Sequence, residues 1–86
     1  MTDSDLTALL AAAFLPYAKG FADDKNAVRL TVSCSTYQVE GTLTLSAADY
    51  AVLHQGAHTE VDVERAFRML SSWNDERTPS LVIESA

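Results

Sequence analysis

His54, His58 and Glu60 are the residues whose types and spacing come closest to a metal site. Two imidazoles four positions apart on one helix can bind zinc, and a nearby carboxylate could supply a third ligand. Gly56 and a helix-start pattern at Thr59 interrupt that spacing, so the two histidines are expected to straddle a helix end. No fourth ligand stands out, and nothing is placed to orient the imidazoles. The plainer reading is a helix-end His54 that complements the dipole and a loop His58. Cys34 alternates in phase with Val28, Leu30 and Val32, which marks a small core residue and not a nucleophile beside a base. Ser33, Ser35, Thr36, Ser71 and Ser72 sit in no nucleophile elbow, and no Ser/His/Asp order can be singled out. Gly20, Gly41 and Gly56 are isolated, so no phosphate-cradling loop is present. The paired acids Asp23/Asp24 and Asp75/Glu76 fall in turns and helix ends, where solvated acids are expected. These patterns predict neither an enzyme nor a bound cofactor.

Two groups suit binding better. One is the polar side of a predicted hairpin, with Arg29, Thr31, Ser33, Gln38, Glu40, Thr42 and Thr44; an ordinary solvated sheet face is the simpler account of it. The other is Trp73 with Met69 and Arg77 near the end of a predicted helix. Tryptophan there fits a core position, yet Trp and Arg are also frequent interface anchors. Acids run along the same segment at Glu60, Asp62, Glu64, Asp75 and Glu76. The first two are explained by helix-start preference, whereas Asp75 and Glu76 sit at the unfavourable end of the dipole and call for a reason. The candidate protein-binding residues are therefore Trp73, Asp75, Glu76, Glu40, Thr42 and Thr44.

The element that must position these groups runs from Val28 to Leu45. Val28, Leu30, Val32 and Cys34 alternate with polar residues, and after Thr36 the parity reverses to Tyr37, Val39, Gly41, Leu43 and Leu45. Period two over this length predicts two strands with one buried face. Facing residues in an antiparallel pair share a face, so paired numbers must sum to an odd value around a two- or four-residue loop near Ser35–Gln38.

Ahead of it, Leu6, Leu9, Leu10, Ala13, Phe14, Tyr17 and Phe21 form one helical stripe, with Asp3 or Ser4 as cap. Pro16 predicts a kink, or alternatively a break, and Gly20 a stop after Lys19. Asp23–Asn26 turn the chain into the hairpin. Beyond it, Ser46 with Asp49 resembles a capping box for a short helix with Ala47, Tyr50, Ala51 and His54 on one face, Leu53 beside them, ending at Gly56. Thr59 with Asp62 repeats the device for a third helix with Val63, Ala66, Phe67, Leu70 and Trp73 or Asn74 as its buried stripe, fading by Arg77 ahead of Pro79. Leu81, Val82 and Ile83 predict a last strand covered on both faces, hence central.

The fold expected is α+β, one domain over residues 1–86, with a three-stranded antiparallel sheet and three helices in the order α-β-β-α-α-β. Twelve acids against six bases give a net charge of −6, which disfavours direct nucleic-acid and anionic-membrane binding. One cysteine allows no internal disulfide, and the apolar run Leu6–Leu15 lacks basic flanks and is too short to span a bilayer, so a cytoplasmic protein is expected. The function expected is a small acidic protein that binds a protein with a basic surface. Its most specific form is an inhibitor occupying a nucleic-acid-binding surface, analogous in size and charge alone to phage anti-defence and bacterial immunity proteins. A self-associating accessory subunit is the alternative, with a homodimer through a free sheet edge or helix face. The metal or hydrolytic site at the histidines ranks third.

Overall fold

The alternation that predicts a hairpin produces one. The computed structural model describes residues 2–55 and 60–86, and in it β1 (Arg29–Cys34) pairs antiparallel with β2 (Gln38–Leu45). The register runs from Arg29 opposite Thr44 to Cys34 opposite Val39, the odd sum that parity requires. Ser35 N donates to Gln38 O at 2.9 Å and closes the loop. Val39, Leu43 and Leu45 are buried, whereas Arg29, Thr31, Ser33 and Glu40 are exposed.

Helix α1 (Asp3–Phe21) precedes the hairpin, with a short 3-10 turn at Lys25–Ala27 between them. Its cap is Thr2, in a reciprocal box with Asp5: Asp5 N donates to Thr2 Oγ1 and Thr2 N to Asp5 Oδ2. Leu6, Leu10, Phe14 and Ala18 form its buried line. The helix neither breaks at Pro16 nor stops at Gly20. Pro16 and Ala12 both lie on the exposed side, so the Ala12 carbonyl that lacks its N–H partner can be hydrated. At the other end Lys25 Nζ donates to the Lys19 and Ala22 carbonyls at 2.9 and 2.8 Å, doing the work expected of a glycine cap.

After β2, α2 (Ala47–Gln55) and α3 (Glu60–Ser72) lead to β3 (Thr78–Ser85). The α+β class and the element order are as expected, but the sheet is mixed. β3 runs parallel to β2, from Thr78 beside Gln38 to Ser85 beside Leu45, and the strand order is β1-β2-β3. A two-helix crossover returns the chain to the end at which β2 began, which makes the pair parallel. The centre of the sheet is therefore β2, and β3 is an edge: Leu81 and Ile83 are buried but Val82 between them is 54% exposed. A run of three apolar residues was too short to distinguish these cases.

The face turned to the helices carries one core. It joins Leu6, Leu10 and Phe14 of α1, Leu53 of α2, Val63 and Phe67 of α3, and the inward residues of the sheet. Phe67 meets Phe14 edge-on, with ring centroids 5.4 Å apart. The ring also lies over Gly41 in the middle of β2, where an added Cβ would be 2.6 Å from Phe67 Cζ and 3.0 Å from Leu81 Cδ1. Glycine is needed here for space, since no glycine among the described residues has a positive φ. Gly41→Ala is expected to lower stability by about 1–3 kcal/mol through overpacking. Urea unfolding of the two proteins measures it, and an unchanged midpoint would contradict this account of the core.

Candidate interaction surface

α3 carries two neighbouring apolar stripes. Val63 and Phe67 face the sheet, while Ala66, Met69, Leu70 and Trp73 recur at helical spacing and turn towards α1. The helices run antiparallel: Phe14 packs on Phe67, and Asp3 reaches Arg77 beyond the end of α3. Between them lies an apolar groove of about 340 Å³, lined by Ala13, Phe14 and Tyr17 of α1 and by that second stripe. Tyr17 and Met69 are 44% and 45% exposed along it, and Trp73 is 73% exposed. The expected burial of Trp73 is thus corrected. The helical hydrogen bonding reaches it, with Trp73 N donating to Met69 O at 3.0 Å, but it projects beyond the core; buried Ser71 takes the inward place, its hydroxyl without a partner among the described residues.

The acids after α3 divide. Asp75 is held by Arg77 through both carboxylate oxygens, from Nε at 2.9 Å and Nη2 at 3.0 Å, and accepts the Arg77 backbone N–H at 2.8 Å. The guanidinium side-chain bonds, ahead of the backbone bond, pull the Asp75 carboxyl down to about 2. Arg77 also reaches Asp3 Oδ1 at 2.9 Å and the Ser35 carbonyl at 3.1 Å, joining the start of α1, the hairpin loop and the turn into β3. The reason that Asp75 called for is internal. Glu76 beside it is exposed and has no such tie.

Glu40, Thr42 and Thr44 lie on the opposite side of the molecule, on the sheet face that no helix covers. In register they form rows that are polar except for Val82: Arg29–Thr44–Glu84, Thr31–Thr42–Val82 and Ser33–Glu40–Ser80. The candidate binding residues are therefore not brought together: Trp73 lines the groove, Asp75 is tied to Arg77 with Glu76 exposed next to it in the chain, and Glu40, Thr42 and Thr44 lie behind the sheet.

At the histidines, His54 Nδ1 contacts Glu60 Oε1, linking α2 to α3, and Tyr50 packs edge-on to the imidazole at 4.2 Å. His58, the Gly56 stop and the Thr59 cap lie outside the described residues. Among the described residues no three potential ligands cluster. Cys34 is half-buried at the edge of the core.

Asp49 has a role that its sequence context did not suggest. Its backbone N–H donates to Ser46 Oγ at 3.2 Å, half of the expected capping box. Its carboxylate turns instead to the chain before the hairpin and accepts the backbone N–H groups of Asp23 and Asp24, each at 3.0 Å. Those two bonds, Asp23 first, hold its pKa below the ordinary 3.8 against the opposing effect of burial. This draws Asp49 and Leu53 inward and leaves Ala47 and Ala51 exposed, rotating α2 away from the face expected for it. The spacing of an acid three residues after Ser46 pointed to Asp49 and to its bond with Ser46, but gave no sign of the longer-range bonds to Asp23 and Asp24.

No helix among the described residues is long and apolar enough to cross a membrane. No protein-family model, curated protein or solved structure matches this chain.

Two outcomes follow for this surface and its supports. Trp73→Ala is expected to change stability by no more than about 0.5 kcal/mol, while Phe67→Ala, two turns away but buried, costs about 3–5 kcal/mol; urea midpoints of the two variants check the contrast. Because both folded-state carboxyl pKa values are lowered, both groups stabilise the fold above the ordinary carboxylate range; Asp75 loses that contribution as pH falls towards about 2, and Asp49 as pH falls through its own lowered pKa. In Asp49→Asn the deficit relative to the parent should narrow as pH falls below the ordinary carboxylate range, and a deficit independent of pH would show that the carboxylate charge is not what holds Asp23 and Asp24.

Proposed function

We propose that this chain is a non-enzymatic protein-binding domain that engages its partner through the groove between α1 and α3. The observation that carries the reading is Trp73, a large aromatic left 73% exposed at an apolar groove while the core beneath it is complete without it. Tryptophan is the residue type most often found to anchor an interface, and its indole offers both apolar area and an N–H donor. An exposed apolar patch joined to a groove is also what marks a contact site on a small protein.

The net charge of −6 favours a partner whose surface is basic. In its most specific form the partner's basic surface is one that binds nucleic acid, and the domain acts as an inhibitor by covering it. The polar sheet face with Glu40, Thr42 and Thr44 then serves as a solvated exterior, in keeping with its rows of hydroxyl groups.

The test is affinity capture from host cells with three baits: the parent chain, Trp73→Ala, and Glu40→Lys on the far side of the sheet. A single stoichiometric protein should be retained by the parent and by Glu40→Lys. It should be reduced about tenfold or more with Trp73→Ala, and its retention should fall as salt is raised. Retention unaffected by Trp73→Ala but lost with Glu40→Lys would move the contact to the sheet and overturn this reading.

A further inference from the structure

The kind of segment that fits the groove follows from what the groove offers. Its lining is made of side chains, and the backbone of both flanking helices is turned inward into helical hydrogen bonds, apart from the Ala12 carbonyl to which Pro16 presents no N–H. The polar groups among the lining side chains are the Tyr17 hydroxyl and the Trp73 indole N–H. An extended peptide laid there would bury N–H and C=O groups with almost nothing to pair them. A helix brings its backbone already paired and presents an apolar stripe at the spacing of the walls.

Charge narrows the choice further. Helices α1 and α3 with the turn to Arg77 carry seven acids against four bases, a balance of −3. The helices are antiparallel, so their acidic first turns lie towards opposite ends of the pair; Asp3 is tied to Arg77 and Glu60 to His54, and it is the net balance of the two helices, not a single free acid, that favours a basic partner. A second copy of the chain, itself at −6, would set like charge against like. We propose that the groove receives an amphipathic, basic helix of a protein partner, laid as a third helix against α1 and α3, with an apolar side chain beside Trp73. This rests on the groove being the contact surface and adds the form and charge of what fills it.

Trp73 is the chain's single tryptophan, so its emission reports the groove without a label. The probes are three synthetic helical peptides of about 18 residues. One has a leucine stripe flanked by lysine and arginine, the second has the same stripe flanked by glutamate, and the third keeps the basic residues with the stripe scrambled. The first should shift Trp73 emission to the blue and bind about tenfold or more tighter than the second at low salt, with the advantage shrinking as salt rises. The third should leave the emission unmoved. Equal binding of the basic and acidic peptides would overturn the basic helix and leave the groove reading standing. A blue shift that grows with protein concentration alone, with a dimer mass in sedimentation, would identify a second copy as the occupant and also overturn it. If none of the three peptides moves the emission, the basic helix fails. The groove reading fails with it when a partner captured by the intact chain also leaves the emission unmoved.

Discussion

The ring of Phe67 fills the space that a side chain at Gly41 would need. That single contact sets how closely the helical layer approaches the sheet. Phe14 of α1 closes on the ring edge-on, and Leu81 of β3 borders the same space, so elements from both ends of the chain are registered on one side chain. A consequence reaches the surface. With Phe67 pointed at the central strand, Ala66, Met69 and Trp73 are rotated to the side of α3 and have only α1 to lean on. The apolar arc of α3 is wider than the sheet can cover, and the surplus becomes the groove.

The same approach makes the architecture one-sided. Both helices between β2 and β3 are used in a crossover on the face that α1 already covers, and the crossover delivers β3 parallel to β2. Nothing in the described chain is left to cover the other face, and its residues suit that exposure: hydroxyls across three strands, with Arg29, Glu40 and Glu84 among them. Val82 is the apolar exception. Its exposure follows from β3 being an edge with one covered face, the position that consecutive apolar residues at 81–83 seemed to argue against.

What could be read from residue order was whatever depends on period and local chemistry. Alternation placed both hairpin strands, their shared face and the parity of their pairing; helical spacing placed Val63 and Phe67 inward and Leu6, Leu10 and Phe14 opposite them. What could not be read was decided by partners distant in sequence. Asp49 bonds to residues 25 and 26 positions earlier, Arg77 to a carbonyl 42 positions earlier, and β3 takes its direction from a connection and not from its own residues. Gly20 failed as a helix stop because Lys25 supplied the missing donors from beyond it. The groove lay between these cases: its α3 wall was visible as spacing, but spacing alone assigned Trp73 to the core.

The distribution of charge carries the last step. Several acids have structural posts: Asp5 in the cap at Thr2, Asp49 across the turn before β1, Asp3 and Asp75 on Arg77, and Glu60 beside His54. Bases are engaged as well, since Lys25, Arg29 and Arg77, three of six, donate to backbone carbonyls. Asp75, which looked out of place at a helix end, is consumed by the fold, whereas its neighbour Glu76 is exposed. An acid's value to a partner therefore depends on whether the fold has already claimed it.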